Sequence, residues 1–244
     1  MIDFAVKPWL PSTRRVGRWL AVALLGAVAC GACAAQAMPN AAAAAPAGSA
    51  LPAPRLEGPA ALEATLAQRR SLRSFAATPL TAAQAGQLLW AAQGVSDDRG
   101  RRTAPSAGAT YPLVLYLVAG RVEGVAVGVH RYLPQGHRLL AVAAGDARGV
   151  VTAAARGQAW LGDAPALIVI AARPSRTSAR YGARADRYVA IEAGAAAQNL
   201  LLQAVALGLG GTLVGAFDDA ALRSAVALTG AEQALAIIAV GHGR

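Results

Sequence analysis

Arg187-Tyr188-Val189-Ala190-Ile191-Glu192-Ala193-Gly194-Ala195-Ala196-Ala197-Gln198-Asn199-Leu200-Leu201-Leu202-Gln203-Ala204-Val205-Ala206-Leu207 is the longest proline-free apolar run of this 244-residue chain after its N-terminal segment. It stops at Gly208, a residue type suited to the left-handed turn that ends a helix, and so reads as one helix roughly 30 Å long at 1.5 Å per residue. Apolar residues surround most of its circumference, which is the pattern of a buried helix. Glu192, Asn199 and Gln203, seven and four residues apart, fall on one stripe, and Ala193 to Ala197 are all small enough for another backbone to come close. Such a helix suits a subunit interface or the wall of a ligand site, and both readings stand.

The flanking sequence sets the fold class. Leu113 to Ala119, Ala166 to Ala172 and Leu235 to Val240 are short apolar runs bounded by Gly, Pro or charge, and are expected as strands. Gly128 to Tyr132 and Arg138 to Ala143 should form a hairpin through Pro134-Gln135-Gly136. Leu62 and Leu66 have the i,i+4 spacing of a short first helix ending near Arg69-Arg70. Thr81 and Gln84 make a capping box for a helix through Leu88, Leu89 and Ala92 that Gly94 terminates, and Asp146 is placed to cap a helix toward Gln158. No internal repeat is visible. Helices and strands alternate without a regular βαβ rhythm, so the expected class is α+β.

With 55% hydrophobic and 15% charged residues, the chain is excluded from whole-length disorder. Residues 1–37 read as a signal peptide: a basic stretch to Arg18, an apolar stretch from Trp19, and Ala35-Gln36-Ala37 as the small-residue cleavage site. Thr13-Arg14-Arg15-Val16 resembles a twin-arginine export signal, although Gly17 stands where a hydrophobe is usual. An uncleaved anchor and a lipidated Cys30 are the alternatives. Export places the protein in the periplasm or otherwise outside the cytoplasm, with no membrane span in the mature form. Residues 38–59, Ala- and Pro-rich, are expected as a flexible linker, and 60–244 as the folded domain.

Both cysteines, Cys30 and Cys33, lie in the signal, which leaves the mature chain without a disulfide, a thiolate nucleophile or Cys-ligated metal. Lys7 is the only lysine, so every later cation is Arg, which excludes Schiff-base chemistry and a lysine base. The phosphate-loop and nucleophile-elbow motifs are absent, and His130, His137 and His242 lack metal spacing. The basic surplus is scattered Arg without interleaved aromatics, which argues against a nucleic-acid partner.

Three segments carry candidate chemistry. Arg69-Arg70-Ser71-Leu72-Arg73 gathers guanidinium forks and a hydroxyl, the donors a phosphate dianion needs. Pro105-Ser106-Ala107-Gly108-Ala109-Thr110-Tyr111-Pro112 is a proline-bracketed loop whose small side chains let a planar ring lie against backbone. Gly208-Leu209-Gly210-Gly211-Thr212-Leu213-Val214-Gly215-Ala216-Phe217-Asp218 could present backbone amides to a ligand edge. Each alone is equally consistent with a plain loop.

Taken in order, together with Glu192-Ala193-Gly194 and Gln198-Asn199-Leu200-Leu201-Leu202-Gln203-Ala204, these segments resemble the FMN-dependent nitroreductase superfamily over about residues 62–242. The arrangement is most similar to its thiazole/oxazole (azoline) dehydrogenase-like branch. The resemblance implies a three-layer α+β fold with a central mixed sheet flanked by helices, and FMN bound at a homodimer interface. It implies that Arg69, Ser71 and Arg73 hold the FMN phosphate with a further contact from Arg70. Pro105, Ser106, Ala107 and Gly108 of the second subunit would lie along the ribityl chain or ring. Gly215 and Ala216 match the turn whose amide faces flavin N5, and Gln158 a position near the pyrimidine edge.

Two features depart from the branch. Its Lys-Tyr pair, the proposed base, corresponds to Arg180-Tyr181, and Arg takes up no proton at neutral pH, which leaves Tyr181 as the candidate base or as a shaper of the pocket mouth. The chain also ends at Gly243-Arg244, where many members continue with a basic tail, so either Arg244 substitutes or the other arginines suffice. The implied activity is hydride transfer between flavin N5 and a small-molecule or peptide substrate by an exported oxidoreductase. A cytoplasmic NAD(P)H-dependent nitro or quinone reductase and a non-catalytic FMN-binding dimeric scaffold are the alternatives.

Overall fold

A computed structural model describes residues 48–244, and the expected signal peptide and most of the expected linker lie outside the described residues. The elements run β1 (Ser49–Ala50), α1 (Leu62–Gln68), β2 (Leu80–Thr81), α2 (Ala82–Gln93), β3 (Leu113–Ala119), β4 (Val122–Glu123), β5 (Gly128–Leu133), β6 (Arg138–Ala144), α3 (Arg148–Ala154), β7 (Ala166–Ala172), α4 (Ser175–Tyr181), α5 (Ala185–Ala206), β8 (Gly210–Val214), α6 (Asp219–Ala225) and β9 (Gln233–Gly241).

Seven strands form one sheet in the order β1-β6-β5-β3-β7-β9-β8, and every ladder between them is antiparallel. Parallel pairing enters through β2 with β4 and through a bridge from Ser71 to Gly211 at the free edge of β8. The sheet is covered on both faces, which explains why β3 and β7 are buried along their whole length. Leu115, Leu117, Ile168, Ile170 and Ile238 point to the layer of α2 and α5, while Tyr116, Val118, Leu167, Val169 and Ile237 point to that of α3 and α6. Period-two alternation on a strand sends successive side chains to opposite faces, so an unbroken apolar run fills both layers.

The three expected apolar runs form β3, β7 and β9, and the hairpin forms as β5 and β6. The Thr81 capping box is complete: Gln84 N donates to Thr81 Oγ1 at 3.1 Å, and Thr81 N to Gln84 Oε1 at 2.9 Å. Gly208, at φ +71°, follows the C-cap of α5. Asp146 differs from expectation. It accepts from Arg148 N at 3.1 Å, but α3 starts from Ala147 and ends at Ala154, because Arg156 and Gly157 turn to positive φ before Gln158.

The segment expected as linker is partly structured. Ser49–Ala50 pairs with β6, Leu51 is buried in the α2 layer, and Gln87 holds both the amide and the carbonyl of Arg55. Its composition suggested a tether, but a short edge strand needs only free backbone groups and one apolar anchor. Leu62 and Leu66 lie on the expected first helix, α1, which ends at Gln68; both are exposed while Thr65 is buried.

A candidate cofactor site in two halves

The first half lies at the β8 edge. Leu72 N donates to Gly211 O at 3.2 Å and Thr212 Oγ1 donates to Leu72 O at 2.6 Å, so residues 71–72 run as an extra extended segment beside β8. Ser71 bridges to Gly211, and the half-buried Leu72 packs inward on the α3 layer. A Cβ on Gly210 would stand 2.6 Å from Leu72 Cδ2, so glycine there is what lets the two backbones approach. Arg69 and Arg73 form no ion pair with any of the described residues. The Arg73 guanidinium lies 5.8 Å from the ring centroid of Trp160, which stacks at 6.4 Å on the buried Phe75.

Arg70 turns back onto α1. Its Nη1 donates to the carbonyls of Ala67 and Arg69, both at 2.9 Å, meeting acceptors that the end of α1 leaves unpaired. The Arg70 side chain thus caps its own helix end. Arg244 folds onto the same region, its Nε donating to Phe75 O at 2.8 Å and its Nη2 lying 3.4 Å from Asp163. That places the terminal arginine beside the segment holding Arg73.

β8 leads into the exposed Gly215–Ala216 turn, and nothing lies within 4 Å of a Cβ built on Gly215. Gln158 meets this turn: its Nε2 donates to Ala216 O at 3.2 Å and to Ala155 O at 3.0 Å. Its amide nitrogen thus holds the turn. Asp218 N donates to Ala154 O at 2.8 Å, tying the far end of the turn to α3.

The second half surrounds Pro105–Gly108. Gly108, Ala109 and Tyr111 all take positive φ (+58°, +54° and +45°), a conformation that two of the three adopt at a cost. Hydrogen bonds hold it: Tyr111 N donates to Ser106 Oγ at 2.9 Å, and the Thr110 and Thr177 hydroxyls meet at 3.0 Å. Arg180 Nη1 donates to Gly108 O at 3.3 Å, and the Tyr181 hydroxyl stands 2.6 Å from where a Cβ on Gly108 would be. Tyr181 packs edge-on against Tyr188 at 5.0 Å.

Pro105, Ser106, Ala107, Tyr188, Ile191 and Glu192 line a cavity of about 280 Å³. Glu192 is buried and its Oε1 has no hydrogen-bond partner. Burial pushes its carboxyl up to about 7, while the Ser106 hydroxyl and the Arg102 charge pull the other way. The stripe of Glu192, Asn199 and Gln203 therefore has mixed roles. Asn199 donates to Thr103 O at 3.2 Å and Gln203 accepts from Gln87 at 3.2 Å, fastening α5 to the loop and to α2, whereas Glu192 keeps an unpaired oxygen.

Arg69, Arg73 and Gly215 do not line the Ser106 cavity. Glu192 was legible as a polar residue on a buried face but not as a group beside Ser106, since 86 residues separate them. Trp160 and Arg102 carried no signal in the sequence.

Comparison with known proteins agrees with this architecture. The nitroreductase family model matches residues 66–242. A protein of Methanocaldococcus jannaschii that carries the name nitroreductase is 41% identical over 181 residues, 74% of this chain and 90% of its own. A Ralstonia eutropha crystal structure, also named a nitroreductase, superposes with a TM-score of 0.71 at 30% identity, covering 80% of this chain and 89% of that one. The E. coli microcin synthetase McbBCD complex with truncated pro-MccB17 bound includes a chain similar at a TM-score of 0.64 and 25% identity, with 72% and 71% covered. With a covered antiparallel sheet, the arginine strand on β8 and the Ser106 loop against α5, this chain belongs to the nitroreductase family and is an oxidoreductase of that superfamily.

Proposed function

We propose that the protein is an exported, FMN-dependent oxidoreductase that works as a homodimer and exchanges hydride with a small organic or peptide substrate. The observation that carries this reading is the donor set at β8. Arg69, Ser71 and Arg73 gather two guanidinium groups without ion pairs among the described residues and a hydroxyl within five residues beside β8, which ends in an open glycine turn. These residues fit a phosphorylated planar cofactor: arginine forks suit phosphate, and the bare Gly215–Ala216 turn leaves room for a ring against backbone. When bound, FMN supplies hydride acceptance and donation.

The chain's own residues do the rest. Arg69, Ser71 and Arg73 bind the phosphate, and Gln158 fixes the Gly215–Ala216 turn in place. Pro105 to Gly108 of a second copy would cover the ring, since Arg69, Arg73 and Gly215 do not line the cavity beside that loop. Exposed Leu62, Leu66 and Ile191, the last 64% exposed on α5, support burial against such a copy. Tyr181 stands over Gly108 and shapes the mouth of that half.

Support for export is the basic-apolar N-terminal pattern with its Ala-x-Ala site. Outside the cytoplasm no NAD(P)H pool exists, so electrons would come from the substrate or a partner protein. The test is direct: the purified protein should be yellow, release FMN on heating, and lose flavin absorbance on dithionite addition. A colourless preparation that FMN does not reconstitute would overturn the reading. Loss of flavin in Arg73→Gln, with the fold retained, would locate the phosphate grip.

A further inference from the structure

A second cavity, of about 220 Å³, opens where the ends of β3, β5 and β6 meet the loop after α2. Four arginines line it, Arg102, Arg131, Arg138 and Arg176, and no acidic residue does. Arg131 lies 3.6 Å from buried Glu232, a carboxylate it shares with Arg173 at 2.8 Å, so its charge is only partly offset. Arg102, Arg138 and Arg176 pair with no carboxylate among the described residues. They donate instead to carbonyls: Arg102 to Gln93 O, Arg138 to Gly48 O and Arg176 to Tyr111 O, all at 2.9 Å. Residues 4–47, which lead into Gly48, contain no Asp or Glu that could supply the missing countercharge.

Unused donors accompany the unbalanced charge. Arg102 Nε is buried with no hydrogen-bond partner, and so is Nε2 of Gln93, a residue 2% exposed that lines the same cavity. A buried donor left unpaired costs free energy that a ligand acceptor would recover. The remaining wall is apolar or aromatic, with Tyr111, Leu133 and Pro134, and the Arg102 guanidinium sits 5.2 Å from the Tyr111 ring centroid.

We propose that this cavity binds a small organic anion, its carboxylate or phosphate head held by Arg102, Arg176 and Gln93 and its apolar body against Tyr111 and Pro134. The site is separate from the arginine strand at β8 and shares none of its residues. It adjoins the Ser106 loop, because the Tyr111 amide bonds to Ser106 Oγ, so occupancy bears on the loop that forms the second half-site.

Calorimetric titration of the purified protein with benzoate, inorganic phosphate and neutral benzamide tests it. Benzoate should bind at one saturable site per chain, and benzamide should not. Exposed Arg176→Gln, which leaves the core untouched, and Arg102→Gln should each weaken benzoate at least about tenfold, as loss of a charge-assisted hydrogen bond predicts, while Arg73→Gln leaves it unchanged. Absence of saturable binding, affinity unaltered in Arg176→Gln, or loss of binding in Arg73→Gln would overturn the proposal. Binding of phosphate without benzoate would overturn the organic body of the ligand.

Discussion

Glu192 shows how one residue couples folding to pH. Its carboxyl titrates near 7 because burial among Pro105, Ser106 and Ile191 disfavours the anion. The folded-state value lies above the unfolded one, so the associated stability is complete below about pH 4.5 and is lost as pH rises through 7. Wild type should therefore lose on the order of 3 kcal/mol between pH 4.5 and 8 through this group, and Glu192→Gln should flatten that part of the profile. Denaturant melts at pH 5 and pH 8 measure it, and equal slopes in both proteins would contradict the argument. Gly108 carries a second prediction. A Cβ there meets a positive φ, the Tyr181 hydroxyl at 2.6 Å and Arg180 Nη1 at 2.9 Å. Gly108→Ala should cost about 1–3 kcal/mol and displace Tyr181, visible as a lowered Tm and altered tyrosine fluorescence.

At the scale of elements, α2 and β8 differ in what holds them. The α2 start is local: Thr81 and Gln84 satisfy each other's backbone groups, so Thr81→Ala should cost about 1 kcal/mol and leave cofactor content intact, as thermal melts with absorbance spectra would show. The β8 edge is nonlocal, depending on residues 71–72 docking more than 130 positions away in sequence. Gly210→Ala pushes a methyl into Leu72 Cδ2 at 2.6 Å and Cβ at 3.0 Å, so the arginine segment should lift off. The expected result is flavin retention reduced more than Tm. The same contrast explains what could be read in advance. The capping box, the hairpin turn and the three apolar strands rest on neighbours within a few residues. Ser49–Ala50 pairs with a strand about ninety residues on, so composition alone marked it as a tether.

Across the whole molecule, α5 reaches from the Ser106 cavity to β8. One side packs on α2 and the sheet, and the other leaves Ile191 exposed beside the Ser106 cavity. Ile191→Asp should yield monomers in sedimentation or light scattering and, if the second copy covers the flavin, a colourless protein. A yellow monomer would separate cofactor binding from assembly. Spacing and side-chain chemistry were sufficient for the class of fold, the length of α5, the capping box and the hairpin, because periodicity and capping are properties of neighbouring residues. Folding in three dimensions assigned side-chain partners: Arg70 to its own helix end, Gln158 to the Ala216 carbonyl, Glu192 to the Ser106 cavity and Arg102 to an arginine-lined cavity. Those outcomes follow from burial and contacts between residues far apart in the chain, which no local pattern encodes.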